Sequence, residues 1–232
     1  MTAKVLVPAL VPEDWRRLLA EPEKHWRRGY SAHAIAHSWQ EADGFPEEID
    51  DLLSRSPGFE NTELLIAIPE HQVPLPGGHR PSQNDVWALA RGPRGLASIA
   101  VEGKVAEPFG EPVGRWRKNA SEGKNTRLRF LCEELGIAYP PPDEIAYQLL
   151  HRTVSAIIEA RRFLARDAIM LVHSFSASDA WFEDYDRFLS LLGVTARIGE
   201  LATVPGRENP ALHLAWVRGN LRYTEALEAP TG

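Results

Sequence analysis

The sequence predicts an α/β domain in which a mixed β-sheet is flanked by helices. Three observations lead there. Helical apolar spacing gives way near Thr62 to short unbroken apolar runs, a Gly92-Pro93-Arg94-Gly95 turn joins two of these runs, and helical and strand patterns alternate from residue 126 onward. In chain order, residues 13–29 are charged, carry Trp15 and Trp26, and read as a short helix and a loop. Ser31 is placed to cap a helix running to Ala42, with Ile35 and Trp39 one turn apart on one face. Pro46 opens a second helix, 47–53, with acids in its first turn, and Pro57-Gly58 ends it.

The run Leu64-Leu65-Ile66-Ala67-Ile68 reads as a buried strand. Residues 69–84 hold four prolines and two glycines and read as a loop. Strands follow at 85–90 and 96–105, forming a hairpin about the Gly92–Gly95 turn. Residues 106–125, rich in Gly, Pro and charge, read as a long loop, a setting where binding function often resides. Helices are expected at 126–135 and 143–165, separated by Pro140-Pro141-Pro142 and with Asp143 as an N-cap. A strand at 168–175, a helix at 180–192 and strands at 196–204 and 211–218 complete the reading. The whole span 1–232 reads as one domain, without internal repeats or low-complexity tracts.

Hydrophobic residues make up 44% of the 232 and charged residues 25%, enough to bury a sizeable core. No apolar run approaches the ~20 residues of a membrane span, and the stretch from Met1 to Pro12 lacks the basic start and cleavage site of a secretory signal. Cys132 is the one cysteine, which excludes an internal disulfide and a thiolate zinc cluster and fits a cytoplasmic protein. The net charge of −6 argues against a surface that wraps nucleic acid all round, though not against a local binding face.

The hairpin concentrates the chemistry. Pairing Gly92 with Gly95 sets Asp85 opposite Glu102, with Cβ atoms about 5 Å apart. Lys104 lies two residues on and projects from the same face, while Ile99, Val101 and Val105 point the other way. Facing carboxylates repel, so a shared proton, the lysine or a cation must neutralise them. Mg²⁺ suits such a pair because it takes few protein carboxylates and completes its shell with water and phosphate oxygens. A lysine beside it can orient the attacking water or stabilise charge developing on phosphorus.

Asn84-Asp85, sixteen intervening residues and then Glu102-Gly103-Lys104 resembles the PD-(D/E)xK nuclease superfamily, and is similar to its small bacterial members. The resemblance implies a restriction-endonuclease-like core of a helix, three antiparallel strands, a helix and a further strand over about 31–175, followed by an extension at 176–232. It implies Asp85 and Glu102 as ligands of Mg²⁺ or Mn²⁺, Lys104 as catalytic, nucleic acid (DNA before RNA) as substrate, and a homodimer as an available assembly. This chain departs from the pattern in three ways. Asn84 stands where the motif has proline, Glu41 and Glu48 are both candidates for the acid some members add from the first helix, and Gln148 is followed at the RecB-like step by Arg152 instead of tyrosine.

Between 113 and 130, Arg115, Arg117, Lys118, Lys124, Arg127 and Arg129 surround Trp116, so the Arg115–Lys118 segment is a candidate to track a phosphate backbone and stack on a base. Its competing reading is a solvated loop. His33 and His37 have helical metal-pair spacing but no third ligand, and read better as an exposed face. His173 and Ser174 read better as a strand end than as a site rim, Cys132 as core, and Tyr147, Gln148 and His151 as a solvent face with the sheet as the alternative. Phosphate-loop, serine-elbow, zinc-protease and dinucleotide motifs are absent. Two functions remain: a metal-dependent phosphodiesterase, and the same fold kept without catalysis as a nucleic-acid-binding or protein-interaction module.

Overall fold

A computed structural model describes residues 8–224. Residues 1–7 and 225–232 lie outside the described residues, and with them the ends of the predicted domain and most of the Met1–Pro12 stretch. Two single-turn helices, α1 (Glu13–Arg16) and α2 (Pro22–His25), precede α3 (Ser31–Glu41) and α4 (Glu47–Arg55). Three strands follow, β1 (Glu63–Val73), β2 (Ser82–Gly92) and β3 (Gly95–Lys104). Next come α5 (Val113–Trp116), α6 (Glu122–Leu135), α7 (Tyr147–Arg162), β4 (Asp167–Ser174), α8 (Phe182–Leu191), β5 (Leu201–Thr203) and β6 (Ala211–Arg218). The predicted mixed sheet flanked by helices is the observed architecture. No described helix is long and apolar enough to cross a membrane.

All six strands form one sheet in the order β1-β2-β3-β4-β6-β5. The first three pair antiparallel, β3, β4 and β6 pair parallel, and β5 returns antiparallel. The segment after residue 175 is therefore part of the sheet. Central β4 is buried at every position, which explains its unbroken apolar run Ala168–Val172. One face packs Ala100, Met170, Val172, Leu214 and Trp216 against α6, α7 and α8. The other packs Val86, Ala88, Ile99, Val101 and Leu171 against α3 and α4, through Ile35, Trp39, Ile49 and Leu53.

Several boundaries move, each for a local reason. The strand expected to be buried at 64–68 is an edge strand, with Leu65 41% and Ile66 42% exposed, and it continues through Pro69 to Val73. An edge position tolerates a proline because one side of the strand needs no ladder donor. The loop read across 69–84 thus shrinks to 74–81. Ser31 does not cap α3; Tyr30 holds the N-cap position without a side-chain cap, and the Ser31 N–H donates to Glu107 Oε1 at 2.9 Å. Helix α6 starts four residues before the expected 126, because Ser121 accepts from the Lys124 N–H and supplies the cap. Helix α7 begins at Tyr147 instead of 143, and Asp143 instead faces Arg117 at 3.8 Å. The strand expected at 196–204 is reduced to Leu201–Thr203.

Trp216 anchors the α8 side of the core. It is fully buried, with Phe182 at 5.3 Å, Tyr185 at 5.4 Å and Phe109 at 6.2 Å between ring centroids. Its indole N–H has no partner among the described residues. Trp216→Ala should lower the unfolding free energy by about 3–5 kcal/mol in urea titration. Trp216→Phe should cost clearly less, since it surrenders no hydrogen bond; equal costs would mean the indole N–H is satisfied in solution.

Candidate active site

The register of the first three strands aligns three acids. In the β2–β3 pair Val86 faces Val101 and Gly92 faces Gly95, and continuing that register by one residue sets Asp85 opposite Glu102, as expected from the turn. In the β1–β2 pair Pro69 faces Val86 and His71 faces Asn84, so Glu70 stands opposite Asp85. Glu70, Asp85 and Glu102 therefore form a row across adjacent strands. Glu70 holds φ at 52°, in the left-handed region that residues with a Cβ seldom adopt, and such outliers cluster at functional sites.

The row's inner end is locked. Glu102 and Lys104 are each 3% exposed, and Glu102 Oε1 accepts from Lys104 Nζ at 2.7 Å. Its Oε2 accepts from Arg152 Nε of α7 at 2.5 Å. Lys104 Nζ also donates to Gln148 Oε1 at 3.1 Å and lies 4.7 Å from the centre of the Phe109 ring. Arg152 Nη1 reaches Ser82 Oγ at 3.4 Å, and Ser82 Oγ lies 2.8 Å from His151 Nδ1. Gln148 and His151 thus belong to the sheet-facing side of α7, and Tyr147 is half-buried against Trp116, so none of the three forms a solvent face. At the outer end Asp85 and Glu70 are half-buried. Asp85 Oδ2 accepts from the Gly103 N–H at 2.8 Å, and Glu70 Oε2 accepts from Gln83 Nε2 at 2.6 Å. A Cβ at Gly103 would stand 3.2 Å from Ile35 Cδ1 and 3.3 Å from Asp85 Oδ2, so any larger residue between Glu102 and Lys104 would press on both side chains.

Charge polarises the row. Burial works to raise the Glu102 pKa, but the Arg152 and Lys104 charges outweigh it and hold the carboxyl down at about 2. Burial and the Glu102 charge push Asp85 up to about 7, and burial with the Asp85 charge pushes Glu70 up to about 8. Burial and the Arg152 charge hold the His151 imidazole well below its usual range, hence neutral. Glu102 is a fixed anion and its two neighbours are exchangeable proton carriers near neutrality.

The remaining candidates fall elsewhere. Trp116 stacks on Tyr147, with ring centroids 4.0 Å apart and planes at 15°, and Lys124 Nζ lies 4.8 Å from its ring, so this aromatic is engaged internally. Arg115 pairs with Glu111 at 3.3 Å and Arg117 with Asp143, while Lys118 is exposed with no ion pair among the described residues. Arg127 is buried, donating to the carbonyls of Leu75, Pro76 and Gly78. Neither first-helix candidate joins the row: Glu41 contacts Arg222 and Tyr223, and Glu48 pairs with buried His173 at 2.5 Å. His33 and His37 are half-buried with tilted rings 4.3 Å apart, not an exposed face. Cys132 is buried in the core, its thiol pushed up by burial to about 11. Among the described residues no three His, Cys, Asp or Glu side chains are grouped to hold a metal ion.

Glu70 and Arg152 were missed as site residues. Carrying the β1 pairing through Pro69 would have set Glu70 beside Asp85, and Arg152 follows Gln148 by one helical turn. A family model, that of a domain of unknown function (DUF6946), matches residues 8–221. No curated protein and no solved structure matches the chain.

The two raised acids carry a stability signature. Their folded pKa values lie above ordinary carboxylate values, so the native state binds more protons than the unfolded chain between about pH 4 and pH 8. Their contribution is complete in acid and is lost as pH rises through that window. Urea titrations across it should show Asp85→Asn and Glu70→Gln each flattening the decline relative to wild type. An unchanged slope in both variants would remove the coupled row from the account.

Proposed function

The chain belongs to this family of unknown function, and we propose that it is a metal-dependent phosphodiesterase of the PD-(D/E)xK type acting on nucleic acid, DNA before RNA. One observation carries the reading: Asp85 and Glu102 stand opposite in register, with Lys104 on the same strand and Gln148 reaching it from α7. The element order supports it, since α4, the antiparallel β1-β2-β3, α7 and the parallel β4 follow the succession the resemblance implies, with α5 and α6 inserted between β3 and α7.

The acids fit a Mg²⁺ or Mn²⁺ ion held by two carboxylates. Asp85 Oδ1 and Glu70 Oε1 have no donor among the described residues, whereas both Glu102 oxygens are engaged. Asp85 and Glu70 would therefore hold the ion first, displacing the protons they carry, and Glu102 would join only on release from Arg152. When bound, such an ion polarises a phosphate oxygen and acidifies its water. The protein's part is to fix Lys104. Glu102 and Gln148 clamp its ammonium beside the row, where it can orient water or meet charge on phosphorus. With a net charge of −6 the nucleic-acid footprint is local, and Arg115, Arg117 and Lys118 lie near the start of α7, which begins next to Gln148. We place this activity in the cytoplasm, with a homodimer as the assembly that would cut two strands.

A second reading rests on Arg152, whose guanidinium occupies a Glu102 oxygen a metal would use. It makes the chain a non-catalytic module of the same fold. Incubating single- and double-stranded DNA and RNA with Mg²⁺ or Mn²⁺ decides between them. The nuclease reading expects cleavage that falls at least about 100-fold in Lys104→Ala and in Asp85→Asn, with the circular dichroism of the folded chain retained. No cleavage of any of the substrates with either ion would favour the module.

A further inference from the structure

At the end of the sheet opposite Lys104, where β4 and β6 begin, lies a cavity of about 650 Å³ beside the turn that follows α4. Its floor is a connected polar chain. Asp167, 1% exposed, accepts from Arg94 Nε and Nη2 at 3.1 Å and lies 2.9 Å from His213 Nε2. His213, itself 3% exposed, places Nδ1 2.9 Å from Thr203 Oγ1. His213 thus bridges Asp167 and Thr203, and the exposed threonine is held at the cavity wall. The Asp167 charge is answered within this chain and does not oppose an anion outside it.

The cavity walls carry three guanidinium groups; Arg94 already answers Asp167 beneath it, so Arg166 and Arg207 supply the uncompensated positive charge, against one exposed carboxylate, Glu208. Arg166 is exposed and has no ion pair among the described residues. Arg207 donates one Nη2 bond to the Glu134 carbonyl, and Arg94 Nη1 has no acceptor among the described residues. On a chain of net charge −6 this is a local reversal of sign. Guanidinium forks match phosphate oxygens two at a time, and the volume falls within the range of about 300–1,000 Å³ used by small-molecule sites, far more than a bare phosphate fills. Phe59 cannot stack on a base, since it is buried under Arg94 and edge-on to His213.

We propose that this cavity is a second ligand site, remote from the acid row, which binds a phosphorylated small molecule of about nucleotide size through Arg166, Arg207 and Arg94. Calorimetric titration of AMP and glucose 6-phosphate into the full chain, with adenosine and inorganic phosphate in parallel, tests it. At least one ester should bind with a dissociation constant below about 1 mM, inorganic phosphate more weakly, and adenosine not at all. Arg166→Ala/Arg207→Ala should weaken the ester at least tenfold. Arg166→Ala alone, an exposed unpaired position, should weaken it several-fold and guards against destabilisation through the Arg207–Glu134 contact. No binding of either ester, equal affinity for free phosphate, or unchanged affinity in the folded variants would each overturn the proposal. The outcome is independent of nuclease activity, which rests on other residues.

Discussion

Three carboxylates on neighbouring strands with only two cationic side chains to answer them set the terms for this structure. Glu102 receives both, Lys104 from its own strand and Arg152 from α7, and is held as an anion by bonds of 2.7 and 2.5 Å. Asp85 and Glu70 receive none directly, and burial with the neighbouring negative charge raises both carboxyls to the neutral range. Much of the surrounding architecture follows from that imbalance. Helix α7 packs across β2, β3 and β4 with an apolar face that also carries Gln148 and Arg152 to the row. The β3 backbone reaches Asp85 through the Gly103 N–H, at a position where a Cβ would crowd Asp85 and Ile35. The loop after β3 lays Phe109 under the lysine.

A buried ion cluster of this kind is weak evidence for stability, because desolvation consumes most of the Coulombic gain. It lies at the C-terminal end of β3 beside a left-handed residue, Glu70, and under the proposed function that cluster is a metal site rather than a source of stability. Acids poised near neutrality trade a proton for a cation with little cost, while an acid held at about pKa 2 does not. The row therefore separates two roles among chemically similar groups by environment alone. The pole of the sheet with His213, Asp167 and three arginines shows the converse. There the buried acid is fully answered, and positive charge is left facing outward.

Much of the fold was legible in the amino-acid order. The Gly92–Gly95 turn determines the hairpin register, and hence the opposition of Asp85 and Glu102, because side chains alternate along a strand and pairing follows from the turn. The apolar runs at 64–68, 85–90 and 168–175 marked real strands. What failed there was exposure: Leu65 and Ile66 are apolar but lie on the sheet's edge, and strand order is not encoded in any one strand's composition. Pro69 concealed the continuation of β1, since a proline ends a central strand but not an edge.

The sequence by itself determined the local pairs: the two acids and the lysine of one hairpin, and the spacing of Gln148 and Arg152 on one helix. Only the tertiary structure decided which of these meet. Arg152 reaches Glu102 because α7 crosses β3, Glu70 joins because β1 pairs with β2 beyond a proline, and Glu41 and Glu48 are excluded because α3 and α4 cover the opposite face. Trp116 in its basic segment read as a stacking platform for a base, yet it stacks on Tyr147. The physical reason is the same throughout. Alternation and turn geometry are properties of neighbouring residues, whereas the partner of a buried charge is set by which element is packed above it, a choice made by the whole core.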